Sequence, residues 1–180
     1  RGLWKWTKRT AMFLAVAAVL SGGLLGYTLD RTERTISAAN ALILRGDFVS
    51  AGEMLAREGN FFLARFKNRL SYLRDGRLEL AKCRVEFGLA RYDTAAEACL
   101  EAAKAVRSSD EKFFAYYYLA LSKFNRGSAL GAGAGAATDA IRYLKEALKV
   151  KEDGEAQAML AALLEEEAKF KEMMRGPKDR

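Results

Sequence analysis

The chain has 180 residues, of which 51% are hydrophobic, and its 30 basic and 23 acidic residues give a net charge of +7. It contains no histidine, which excludes imidazole acid–base catalysis, serine or cysteine triads with histidine, and imidazole metal sites. A single proline, Pro177, and abundant helix-forming residues predict an all-α fold with one domain. We therefore predict no enzyme activity, no cofactor and no metal site.

The positive charge is concentrated at the N-terminal end. Four of the 30 basic residues lie within residues 1–9 and no acidic residue precedes Asp30, so the remaining chain carries a net charge of only +3. No later helix shows a basic stripe with interleaved aromatic residues, the pattern typical of nucleic-acid binding. We therefore predict no nucleic-acid partner.

The first apolar segment covers residues 10–29 and contains no charge. A helix of about 20 residues crosses a hydrocarbon core of about 30 Å, so the segment predicts a transmembrane anchor behind a basic cytoplasmic flank at 1–9. The positive-inside rule then predicts a single-pass protein of the bacterial inner membrane, with its helical domain in the periplasm. A cleaved signal peptide is the alternative, because Ala15-Val16-Ala17 is a small-x-small site.

Small residues recur every fourth position along one face of this segment, at Ala18, Gly22 and Gly26. Small side chains allow two membrane helices to approach closely, so this face is a candidate for packing against another membrane helix. The alternative is that glycine and alanine are simply common in membrane helices.

From residue 30 to residue 174, apolar residues recur at helical spacing and are interrupted by short turns. This pattern predicts about seven or eight helices, one of them over residues 61–73. Capping-box spacings begin at Ser50, Thr94 and Ser108. The Gly/Ala-rich segment 127–137 predicts a flexible loop, and residues 175–180 a disordered tail.

Helices joined by short turns predict antiparallel hairpins stacked in a row. The chain resembles the tetratricopeptide repeat, in which small residues allow the two helices of each hairpin to pack closely. The best match has Tyr116, Leu119 and Ala120 on the first helix, and Ala140, Leu144 and Ala147 on the second. A second, partial match consists of Tyr92, Ala95, Cys99 and Ala102. A third, weaker match consists of Gly46, Phe48, Ala51 and Leu55. The chain departs from the family in the segment 127–137, which inserts about eight residues between the matched helices.

With its predicted anchor, the chain also looks like the small anchored tetratricopeptide proteins encoded beside MoxR-type ATPases and von Willebrand A-domain proteins. This resemblance implies a role in the assembly or maturation of envelope proteins. The closing Pro-Asp-Asp and Tyr-Asn-Leu signature of that group is absent, and Lys151-Glu152-Asp153-Gly154 stands in its place.

The helix over residues 111–125 offers the candidate contact surface. If the matched residues of this helix face the interior of their hairpin, a second apolar stripe lies on the positions that line the groove of a tetratricopeptide array. The stripe consists of Phe114, Tyr117, Leu121 and Phe124. We predict that it binds a partner, since aromatic residues are common anchors at interfaces. The alternative is that neighbouring helices of the same chain cover it.

The only two cysteines, Cys83 and Cys99, lie eight residues on either side of Arg91 in a predicted turn. In an antiparallel hairpin they would lie at nearly the same height, within reach of a disulfide. Two free cysteines at close helix contacts are the alternative.

The sequence thus predicts a membrane-anchored, tetratricopeptide-like adaptor that makes protein–protein contacts during assembly of an envelope complex. Its partners would be other proteins of the membrane or envelope. The alternative is an accessory subunit of a larger membrane complex, held mainly through its transmembrane helix. The oligomeric state stays open.

Overall fold

The computed structural model describes residues 2–59, 76–129 and 133–174, and in these ranges the chain forms helices without any strand. The helices are α1 (Gly2–Leu44), α2 (Phe48–Gly59), α3 (Gly76–Gly88), α4 (Tyr92–Ala105), α5 (Ser109–Ala129), α6 (Gly133–Val150) and α7 (Gly154–Met174). The predicted all-α, helical-repeat-like architecture is confirmed. The predicted helix at 61–73 and the predicted disordered tail at 175–180 lie outside the described residues.

The predicted membrane anchor is corrected. Over the part of the chain that the structure describes, no helix is long and apolar enough to cross a membrane. The apolar run at 10–29 forms part of the 43-residue helix α1, which continues through Asp30 and Arg31 into the packed hairpins. Because no described helix can cross a membrane, the transmembrane helix of the predicted fold class and the predicted single-pass inner-membrane location are both wrong.

Consecutive helices form hairpins that stack into two layers. Helices α1 and α2, α3 and α4, and α5 and α6 pack as pairs, and α7 packs on α6. Helices α1, α3 and α5 also contact one another in that order and run parallel, so they form a continuous inner layer.

The turns that end α1 and α3 share one backbone pattern. Gly46 and Ala90 both have positive φ, at 77° and 56°. The amide that follows each of them donates to a carbonyl five residues back, from Asp47 to Leu42 at 3.0 Å and from Arg91 to Glu86 at 2.9 Å. This is the Schellman arrangement that ends many helices. It reverses the chain at the same place in both hairpins.

The start of α2 differs from the predicted capping box. Asp47, and not Ser50, caps the helix, since its Oδ1 accepts a hydrogen bond from the Ser50 amide at 3.1 Å. Hydrogen bonds from the side chain and backbone of Ser50 lower the pKa of Asp47 below its usual value.

The hairpins repeat the same buried positions. On the inner layer the repeated position holds Ala39, Cys83 and Ala120, each with no exposed surface, and the first two are 44 residues apart and the last two 37. On the outer layer the spacing is 44 or 45 residues. On α2, α4 and α6 the repeated positions hold the sets Ala51 and Leu55, Ala95 and Cys99, and Ala140 and Leu144, which are also fully buried. Small residues on one helix therefore face larger ones on the other, as close antiparallel packing requires.

One repeated position is polar in the first hairpin only. Ala102 and Ala147 are fully buried on α4 and α6, while α2 has Glu58 there, with 3% of its surface exposed. The Glu58 carboxylate accepts hydrogen bonds from Arg31 Nε at 3.0 Å and Thr32 Oγ1 at 3.1 Å. Because a buried carboxylate requires such partners, this cluster fixes the register of α1 on α2.

The predicted flexible loop at 127–137 is wrong over most of its length. Helix α5 continues to Ala129 and α6 begins at Gly133, so that only 130–132 lie outside the described residues. The physical reason is close packing. A Cβ at the buried Gly127 would overlap the methyl group of Ala136, so the small residues bring α5 and α6 together.

Candidate functional site

The inner layer forms an open groove between α1, α3 and α5, which we call the inner groove. It has a cavity volume of about 480 Å³. Its lining includes Asn40 and Leu44 from α1, Arg77 and Arg84 from α3, and Glu111 and Phe114 from α5. Three separate helices thus contribute both charged and apolar side chains to one concave surface.

Two polar contacts cross the groove between α1 and α3. Arg77 holds Glu33 through a bidentate ion pair, with Nη2 to Oε2 at 2.6 Å and Nη1 to Oε1 at 3.0 Å. Arg84 Nη1 donates to Asn40 Oδ1 at 3.2 Å. Both contacts join residues 44 positions apart, because the repeat places equivalent residues of α1 and α3 side by side.

Arg84 differs from Arg77 in its surroundings. Its Nε is buried and has no hydrogen-bond partner among the described residues. Its guanidinium carbon lies 5.9 Å from the centre of the Tyr118 ring, within the range of a cation–π contact. No ion pair joins Arg84 to a carboxylate in the described ranges, so the groove contains a positive charge whose recorded partners are neutral.

The structure divides the predicted apolar stripe of α5 into two parts. Phe114 remains 44% exposed and lines the inner groove. Tyr117 and Phe124 instead pack against the hydrophobic cluster that α5 forms with α6 and α7, and Leu121 is half-buried. Of the four predicted partner-binding residues, Phe114 is the one that the structure places in the groove.

Tyr117 is held from two sides. Its ring stacks on Phe113 with centroids 5.8 Å apart, and its hydroxyl donates to Glu155 Oε1 of α7 at 2.9 Å. Burial, followed by the hydrogen bond to Glu155, raises the pKa of Tyr117 from 10.0 to about 12. The folded state therefore holds the phenol proton more tightly than the unfolded state does.

This shift predicts a loss of stability at alkaline pH. The contribution of Tyr117 is complete below pH 10.0, where both states are protonated, and it is lost as the pH rises through about 12. We expect the free energy of unfolding of the native chain to fall more steeply over this window than that of Tyr117→Phe. Urea denaturation at a series of pH values measures both curves. Parallel curves would contradict the raised pKa, since the other titrating groups are the same in both proteins.

The two cysteines come together in the second hairpin. Cys83 of α3 and Cys99 of α4 form a disulfide with their Cα atoms 4.9 Å apart, and neither has any exposed surface. They occupy repeated positions that hold Ala39 and Leu55 in the first hairpin, and Ala120 and Leu144 in the third. The bridge thus replaces an ordinary small-to-large apolar contact at the centre of a hairpin.

Two of the three residues of the predicted helix-packing face on α1, Gly22 and Gly26, are exposed in the structure. A Cβ built on Gly22 or Gly26 meets no atom within 4 Å, and the side chain of Ala18 is not among those described. Within the described ranges no group of three or more Cys, Asp or Glu residues is arranged to hold a metal ion.

Asn40, Arg77 and Arg84 were missed as site residues at the sequence level. The available signal was the repeat itself: Asn40 and Arg84 directly follow the small residues Ala39 and Cys83 of the repeated inner-layer position. Once the hairpins are aligned at this position, the two polar residues fall on one surface. A search for familiar motifs does not reveal such a pair.

A comparison with known protein families, with curated proteins and with solved structures finds no match to this chain.

Proposed function

We propose that this protein is a helical adaptor that binds a segment of a partner protein in the inner groove. The observation that carries the proposal is the composition of that groove, where a half-exposed aromatic ring, Phe114, lies near a half-buried arginine, Arg84, on a concave surface built from three helices. Tyr, Trp, Phe and Arg are the residues enriched in protein interfaces.

The scaffold supports this use in two ways. The helices behind the groove are fixed by fully buried repeat positions and by the disulfide, so the lining residues are held in place before a partner arrives. A preorganised surface loses less conformational entropy on binding, which favours affinity. In addition, Leu44 at the end of α1 is 80% exposed and continues the apolar part of the groove.

A selection of phage-displayed random peptides on the full chain tests the proposal. We expect enriched peptides whose affinity falls about thirtyfold in the variant Phe114→Ala, since truncation of an aromatic anchor costs on the order of 2 kcal/mol. Leu44→Ala should weaken the same peptides to a smaller degree. Val49→Ala and Leu100→Ala are matched controls, because both remove an exposed apolar side chain from the outer layer. A selection that enriches no peptide, or peptides insensitive to the groove variants, would contradict the proposed function.

A further inference from the structure

The inner groove contains charged side chains of both signs in equal number. Its lining includes the acidic residues Glu33 and Glu111 and the basic residues Arg77 and Arg84. Because these four charges sum to zero, the groove walls as a whole attract neither an acidic nor a basic segment. A surface of this kind selects its partner by something other than charge complementarity.

The arginines of the groove are also held by contacts within the chain. Arg77 forms its bidentate ion pair with Glu33. Arg84 donates to Asn40 through Nη1 and lies over the ring of Tyr118, and its buried Nε is out of reach of a partner. A carboxylate on the partner would compete with Glu33 for Arg77, and a partner lysine would compete with Arg77 for Glu33. Exchanging one ion pair for another at a surface yields little free energy.

The part of the groove that is open to a partner is apolar in two places. Leu44 at the end of α1 is 80% exposed, and Phe114 of α5 is 44% exposed. Ala41, one turn before Leu44, is exposed as well and belongs to the same lining. Removing this apolar surface from water favours binding without any charged group. A charged side chain placed against it would lose hydration that the balanced walls do not replace.

We propose that the segment bound in the inner groove is uncharged where it contacts the groove, and that one of its apolar side chains packs on the surface that Phe114 and Leu44 present. This inference rests on the proposed function and specifies the chemistry of the partner. The balanced walls act against charged segments of either sign, since a protein can reject a partner by leaving the partner's charge without compensation.

The test uses a peptide selected on the full chain and synthesised with an acetylated N-terminus and an amidated C-terminus, so that it carries no terminal charge. A double-mutant cycle with Phe114→Ala identifies the peptide residue that packs on this ring. We expect this residue to be apolar, and its replacement by Gln to lower affinity about tenfold. Replacement by Glu or by Lys should lower affinity by about a further tenfold, equally for both signs, because each places a charge in the groove without compensation.

Two variants of the chain test whether the balance of charge causes this selectivity. Glu33→Gln leaves the described lining with one excess positive charge, and Arg77→Gln leaves it with one excess negative charge. We expect Glu33→Gln to bind the Glu peptide about tenfold more tightly than the Lys peptide, and Arg77→Gln to reverse that order. The apolar peptide should bind both variants as it binds the native chain. The side chains of Glu33 and Arg77 are 57% and 40% exposed, so their ion pair contributes little to stability and both variants should fold.

Three outcomes would overturn the inference. They are a charged residue at the peptide position that packs on Phe114, Glu and Lys peptides that differ from each other or equal the Gln peptide in affinity for the native chain, or no preference between them in the two variants. In each case a continued dependence on Phe114 shows that the proposed function stands and that only the selection for an uncharged segment is wrong. Loss of all groove-dependent binding defeats both proposals. The four peptides are compared on the unaltered chain, so this arm does not depend on the stability of any variant.

Discussion

Reduction of the Cys83–Cys99 disulfide is expected to lower the free energy of unfolding by about 3 kcal/mol, the value for closing a loop of this length in the unfolded chain. The two residues are 16 positions apart and fully buried between α3, α4 and α5. A reductant alone should therefore leave the bridge intact, because the sulfurs become accessible only when the hairpin opens. Urea denaturation with and without reductant measures the difference.

The other two hairpins supply a matched control for this experiment. Cys83→Ala with Cys99→Leu copies the apolar pair that the first and third hairpins have at the same positions. We expect this variant to be insensitive to reductant and more stable than Cys83→Ala with Cys99→Ala by about 2 kcal/mol, because the leucine fills the space that two alanines leave empty. Two free thiols in the denatured, unreduced chain would contradict the bridge. An unchanged unfolding curve after reduction would contradict its contribution to stability.

The helical hairpins could be predicted from the sequence because the pattern that indicates them is local along the chain. Short turns and small residues at fixed spacing predict antiparallel pairs, and Ala120, Ala140 and Leu144 are all fully buried as that pattern requires. The cysteine spacing around Arg91 gave the correct height of the two sulfurs for the same reason: in a hairpin, distance from the turn sets the position along both helices.

The errors arose where composition was interpreted without packing. The segment 127–137 has the composition of a linker, but Gly127 is small because Ala136 packs directly against it. The apolar run at 10–29 was interpreted as a membrane anchor from its length and lack of charge, whereas no helix of the described residues is long and apolar enough to cross a membrane. The contacts of Arg77 and Arg84 across the inner layer depend on how α1 and α3 align, which is information from tertiary structure.

The apolar stripe of α5 also shows that a sequence pattern does not reveal tertiary packing. Helical periodicity places four residues on one face without showing what covers them: Phe114, Tyr117, Leu121 and Phe124. In the structure Glu155 of α7 accepts a hydrogen bond from the Tyr117 hydroxyl, and Phe124 packs against the hydrophobic cluster that α5 forms with α6 and α7. Phe114 lies beyond this cover, at the inner groove. The four residues therefore belong to two different surfaces.

Substitution of Tyr117 and Phe124 by alanine is accordingly expected to destabilise the fold and not simply to remove a binding surface. Each truncation should cost about 2 kcal/mol, less than the 3 to 5 kcal/mol of a fully buried aromatic residue, because both side chains are only partly buried. The two substitutions together would then remove a large part of the free energy of unfolding, which is about 5 to 15 kcal/mol for a typical domain. Phe114→Ala should cost less than about 1 kcal/mol, because the ring is 44% exposed.

Urea denaturation of the three variants separates these two roles, and Tyr117→Phe isolates the hydrogen bond to Glu155 from the packing of the ring. We expect Tyr117→Phe to keep most of the stability, because the stacked contact with Phe113 at 5.8 Å remains. If the double alanine variant unfolds at the same urea concentration as the native chain, α7 does not cover the stripe in solution. Tyr117 and Phe124 would then be free to contact a partner, and the binding surface of α5 would extend beyond the inner groove.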